Sequence, residues 1–233
     1  MPELLPDRPP SRRYHYLTDG QEIYRRSFAM IRSEVTGMLG RDGIPAWSGH
    51  ELTVATRIAH AAGDVDVLRH LALHPEVVAS AHAALLHGAP VVTDSLMLAS
   101  GITRRRLPAD NAVVCTLRDE RVPALAERWS TTRAAAAVSL WRPHLEGAVV
   151  AIGNAPTALY HLLEMLHDGG PRPAAIIGLP VGFVGSAESK DALAAHRLAD
   201  GSVVPWLVVH GRRGGSAMAA AAVNAVATPD ELA

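Results

Sequence analysis

The sequence predicts an α/β fold, a three-layer α/β/α sandwich around a largely parallel sheet. Three observations carry this. Five short runs, at 89–93, 112–116, 147–152, 174–179 and 204–209, are apolar throughout rather than alternating, the pattern of strands covered on both faces. Helical stretches at about 119–145, 156–166, 186–196 and 215–227 separate the later runs, and repeated strand-helix order builds a parallel sheet between helical layers. With 233 residues, 48% of them hydrophobic, the chain can bury a sizeable core as one large domain.

The elements ahead of the alternation are read in order. Residues 1–15, with Pro2, Pro6, Pro9, Pro10 and the pair Arg12-Arg13, are expected to form a flexible tail, and 16–233 a single domain. Thr18 or Asp19 can cap a helix with Glu22 in its first turn. Ile23, Ser27, Met30, Ile31, Val35 and Met38 then recur at helical spacing before Gly40. Residues 41–49, holding Gly43, Pro45 and Gly49, read as a loop. A second helix, about 50–62, ends on Gly63, a left-handed stop. A third is expected at about 64–73 and a fourth at about 75–87.

Composition excludes several classes. The formal net charge of −1, with no basic block, gives no nucleic-acid footprint. Aromatics at 4% argue against base stacking. Cys115 is the sole cysteine, so no intramolecular disulfide can form, and its apolar neighbours suggest a buried thiol. No apolar run approaches the roughly 20 residues of a membrane helix, and residues 1–7 lack the basic-then-apolar order of a signal peptide. A soluble, cytoplasmic protein is expected, with neither nucleic acid nor membrane as partner.

In such folds ligands sit at the carboxyl edge of the strands, where Asp94, Asn154, Gly182 and Gly211 fall. Two of the apolar runs stop at glycine and hand over to a helix, whose first N–H groups suit an anion. The spacing of Gly178, Gly182 and Gly185 is not the dinucleotide fingerprint, and Lys190 lies too far from them to complete a phosphate loop. What remains is a set of backbone N–H groups with Asn154, Thr157, Ser186, Ser189 and Lys190, able to meet carboxylates or ring nitrogens. His70 and His74 stand four apart, but no third ligand completes a metal set.

At this point the residues resemble a known family. The stretches 147–158 (GAVVAIGNAPTA), 180–190 (PVGFVGSAESK) and 211–217 (GRRGGSA) are similar to those of the precorrin-8X methylmutase family of cobalamin biosynthesis. The likeness extends upstream through 23–28 (IYRRSF), 57–60 (RIAH), 88–90 with Asp94, 101–108 and Thr132-Arg133, and so covers nearly everything after the tail. Ala134 stands where the family usually has serine, and Ser139-Leu140-Trp141 replaces its Glu-Leu-Trp.

The resemblance implies an isomerase that moves a methyl group between adjacent ring carbons of precorrin-8X, giving hydrogenobyrinate, with no redox cofactor, nucleotide or metal. It implies His60 as acid or base, a role suited to a group titrating near neutrality. Read without the likeness, a histidine just ahead of Gly63 equally complements a helix C-terminus. A polycarboxylate substrate calls for arginine forks, and Arg104, Arg106, Arg32 and Arg133 are candidates beside Ser27, Asp94, Asn154, Thr157, Gly182, Ser189 and Lys190. The family likeness also implies a homodimer whose pockets are built partly from the neighbouring subunit. Two alternatives stay open: a cobalt-precorrin-8 methylmutase, and a non-catalytic tetrapyrrole carrier.

Overall fold

The computed structural model describes residues 11–41 and 44–228. Ten of the fifteen positions expected to form the tail, and Gly43, lie outside the described residues. The chain runs α1 (Gly20–Met38), α2 (Gly49–Ala62), β1 (Leu71–Leu73), α3 (Val77–Leu86), β2 (Val91–Thr93), α4 (Leu96–Gly101), β3 (Val113–Val114), α5 (Val122–Arg128), α6 (Arg133–Ser139), β4 (Val149–Ile152), α7 (Pro156–His167), β5 (Ala175–Gly178), α8 (Ser186–Ala195), β6 (Trp206–Val209) and α9 (Ser216–Ala227).

The strands form one sheet in the order β1-β6-β5-β4-β2-β3. The five expected strands are all present and mutually parallel, for example Val150 opposite Ile176 and Val92 opposite Val150. Their residues alternate between two cores. Val91, Val149, Ala151, Ile177 and Leu207 face α2, α3, α4 and α9. Val92, Val150, Ile152, Ile176 and Val208 face α7 and the helical segments around Trp141 and Leu193. Both faces are dry, which is why the runs read as continuously apolar.

Local chemistry explains the helix ends. The Asp19 carboxylate accepts from the Gln21 and Glu22 amides to start α1. Gly63, at φ 65°, ends α2 in the left-handed conformation.

Three expectations are corrected. The third helix, expected at 64–73, is a 3-10 turn at Val65–His70 followed by β1, which pairs antiparallel with β6. Three strand residues show no periodicity, and their partner lies far along the chain. The helix expected at 119–145 is two: Ser130 sits at φ 50°, Thr132 restarts the helix by accepting from the Ala135 amide, and Pro143 ends the segment in a 3-10 turn. Finally, α4 was not anticipated; Ser95 begins it by accepting from the Leu98 amide. Cys115 is half-buried rather than buried.

The sheet's switch point lies between β2 and β4, the crevice in which ligands of such folds commonly bind. Here it is filled from within. Asp94, at the end of β2, accepts from the Gly153, Asn154 and Ala155 amides at 3.0, 2.9 and 2.8 Å.

Candidate active site

Two helices of the first layer bring the acid/base candidate into place. Tyr24, Ser27 and Phe28 stand three and four apart on α1, and Arg57 and His60 three apart on α2, so each set shares a helix face. Ser27 Oγ lies 3.0 Å from His60 Nδ1. The Phe28 ring stacks on the imidazole at 4.7 Å and also carries the Arg57 guanidinium at 5.5 Å. Arg57 Nη2 donates to the Tyr24 hydroxyl at 2.8 Å, and Arg106 interacts with the same hydroxyl. With Nδ1 committed to Ser27, Nε2 is the imidazole nitrogen left for a ligand.

Partial burial first, and the Arg57 charge second, hold His60 below the ordinary histidine range. Both effects favour the uncharged imidazole. Arg106 is lowered by its own burial and by Arg57, the mark of two cations sharing one small space.

His60 and Ser27 line a cavity of about 290 Å³ together with Met30, Ile31, Glu34 and Asp64. Asp64 also lines an adjoining cavity of about 500 Å³ with Ala61, Gly182, Phe183, Arg212 and Arg213. Asp64 accepts from Arg213 Nη1 at 2.9 Å, so an ion pair stands where the two cavities meet. The second cavity lies at the carboxyl ends of β5 and β6, the edge to which the sheet rule points.

The loops around it are held from below. Lys190 is fully buried, and its Nζ donates to the Arg213 carbonyl at 2.7 Å. Burial pushes its ammonium down to about 8 against the pull of Asp191. Ser189 is equally buried and donates to the Ser186 carbonyl. A Cβ on Gly214 would sit 2.4 Å from the carbonyl oxygens of both Leu179 and Pro180, so only glycine lets these two loops touch. Above them Val181, Phe183 and Val184 are exposed, and Arg212 stacks on Phe183 at 5.0 Å.

The predicted residues thus separate. Ser27 and His60 meet, Gly182 lies in the adjoining cavity, and Arg106 joins the cluster through Tyr24. Arg32 lines a different recess, about 700 Å³, with Tyr24, Arg25 and Phe28. Arg104 is exposed. Arg133, Asn154 and Thr157 are exposed near the ends of β2 and β4, where Thr157 Oγ1 lies 2.8 Å from Thr132 Oγ1. The anion site expected in the loop after β4 is taken by the chain's own Asp94, which is 4% exposed and offers no free face to a ligand. Burial pushes that carboxyl up while the three amides pull it back.

Sequence reasoning missed Tyr24, Phe28, Arg57, Asp64 and Arg213. The pairing of Arg57 with His60 one turn apart was the available signal; the Asp64–Arg213 contact spans 149 residues and left none. Among the described residues no group of three or more histidine, cysteine, aspartate or glutamate side chains could hold a metal ion, and no helix is long and apolar enough to cross a membrane.

Comparison with known proteins shows the family. The family model described as precorrin-8X methylmutase matches residues 22–228. Proteins named precorrin-8X methylmutase from a Sinorhizobium species and from Pseudomonas aeruginosa are 54% and 55% identical to it, each over 93% of this chain and 98% and 99% of their own. Relatives named cobalt-precorrin-8 methylmutase range from 29% to 36% identity. The crystal structure of a precorrin-8X methylmutase from Thermus thermophilus superposes with a TM-score of 0.75 at 35% identity, covering 89% of this chain and 95% of that one. The chain belongs to the precorrin-8X methylmutase family.

Proposed function

We propose that the protein is an isomerase of cobalamin biosynthesis that moves a methyl group between adjacent ring carbons of precorrin-8X to give hydrogenobyrinate. Family membership supports the reaction. The observation that carries its assignment to a site is the Ser27–His60 pair lining one cavity, which shares Asp64 with the second.

Substrate and product are isomers, so any proton lent to the ring must be returned within the cycle. His60 suits such a relay. When Ser27 Oγ donates to Nδ1, Nε2 carries hydrogen and faces the ring as a donor. When Nδ1 carries the hydrogen, Nε2 becomes an acceptor, and the serine serves either state. In the second state the neutral imidazole takes a proton from the ring at Nε2, becomes imidazolium with Nδ1–H still donating to Ser27 Oγ, and returns that proton as the cycle closes.

The grip on a polycarboxylate falls in part to residues that the sequence analysis did not single out. Arg212 and Arg213 border the second cavity, and Arg106, a sequence candidate, stands beside the Tyr24 hydroxyl; each fork can take a carboxylate bidentately. Gly182 shapes the wall between them. Arg32 lines its own recess, and the exposed Arg104, Arg133, Asn154 and Thr157 lie outside both cavities and take no part in this grip. Asp94, Ser189 and Lys190 act by holding the loops, not by touching substrate.

The metal-free ring is the better reading of the substrate, because relatives named for it share 54–55% of residues against 29–36% for those named for the cobalt form. We also infer a cytoplasmic homodimer. Its support is the exposed apolar edge of Val181, Phe183 and Val184 beside the site, a surface suited to a neighbouring subunit. Incubation with precorrin-8X, followed by its visible spectrum, tests the reaction. Catalytic conversion supports it, and stoichiometric binding without turnover would make the protein a carrier instead.

A further inference from the structure

The Arg57 side chain is almost fully buried, an expensive place for a guanidinium on a helix that has solvent within reach. It lies one turn before His60, on the same ring of Phe28 that stacks on the imidazole, and is pinned at its far end by the Tyr24 hydroxyl. Phe28 is itself buried, so neither group can shift without disturbing the helix pair. A rigid cation is thus held at fixed distance from a histidine whose other support, Ser27, is uncharged.

We propose that Arg57 is a positioning residue for His60: through Phe28 and Tyr24 it fixes the ring and holds a cation beside it in the ligand-free site. This rests on the reading of His60 as the proton relay and adds what sets its resting state. The other groups facing His60 do not do this. Glu34 on α1 and Asp64 beyond α2 are acids that favour the charged ring, and Asp64 is already paired with Arg213. Arg106 reaches the cluster only through Tyr24. Arg57 is the cation that acts directly on His60, beside the ring's own burial. A resting neutral ring can take a proton at Nε2 and hand it back, whereas a resting imidazolium has no lone pair to accept one, so the arrangement keeps the relay open.

The test is nitrogen-15 and proton resonance titration of His60 in the ligand-free protein, its signals assigned by their loss in His60→Gln. Arg57→Gln should raise the midpoint by about 0.5–1 pH unit, the size of one nearby charge in a partly solvated setting. Arg57→Lys should hold the midpoint within a few tenths of the parent while loosening the ring, seen as a more even tautomer mixture. If Arg57→Gln does not fold, Arg57→Lys decides, because it keeps the charge but not the fork that reaches the Tyr24 hydroxyl: an unchanged tautomer ratio overturns the proposal. A midpoint unmoved by Arg57→Gln also overturns it. No step of this needs turnover, so a failure here is separate from a failure of the methylmutase reaction.

Discussion

Ser27 and His60, 33 residues apart in the chain, meet at 3.0 Å between hydroxyl oxygen and Nδ1, and this contact decides which imidazole nitrogen faces the cavity. Ser27→Ala should leave the fold intact, because Ser27 is only half-buried, but should release the ring and its tautomer. Turnover is expected to fall about 10-fold, the worth of one hydrogen bond of about 1.4 kcal/mol, with binding of the tetrapyrrole nearly unchanged. Steady-state kinetics showing the loss only in KM would place the serine in binding instead.

The carboxylate of Asp94 closes the switch-point crevice with three amide hydrogen bonds. Asp94→Asn keeps the size but turns one acceptor oxygen into a donor that faces amides. Denaturant unfolding should show a loss of about 2–3 kcal/mol, the cost of leaving buried amides unmet. A loss under about 0.5 kcal/mol would mean that the crevice is not held this way.

Lys190 gives a pH-dependent prediction. Its pKa is depressed from the model-peptide value of 10.5 to about 8 by burial, so between those values the unfolded chain binds the extra proton and the folded chain does not. Stability contributed at this position must then rise with pH across that window and be flat below it. Relative to Lys190→Met, the parent should gain about 3 kcal/mol between pH 8 and 10.5. Parallel stability curves for the two proteins over that range would refute the assignment.

The arginines separate by place. Arg106→Ala should weaken tetrapyrrole binding by about 10- to 150-fold, as expected for a charge-assisted bond of roughly 1.5–3 kcal/mol, and lysine should recover only part because it lacks the fork. Arg104→Ala, on an exposed turn, should bind within a few-fold of the parent. Absorbance titrations in which both behave alike would contradict this division.

The parallel sheet was legible because its inner strands β2, β4, β5 and β6 are buried on both faces and declare themselves by composition. The edge strand β1 is only three residues long and owes its existence to β6, which follows more than a hundred residues later. His60 was singled out by family likeness, not by any local pattern that sets it apart from the eleven other histidines. Lys190 shows the opposite limit. Its sequence position at a helix start after a glycine loop suggested a ligand contact, but the helix turns it inward to hold the Arg213 carbonyl, and nothing in linear order distinguishes a lysine facing in from one facing out.

The central claim is that His60 carries the proton for a methyl migration on precorrin-8X, and single-turnover absorbance of His60→Ala with that substrate tests it most directly. The variant should fold and bind the tetrapyrrole, and convert it at least about 10²-fold more slowly than the parent, the lower bound for a positioned acid or base. Conversion within a few-fold of the parent would contradict the account.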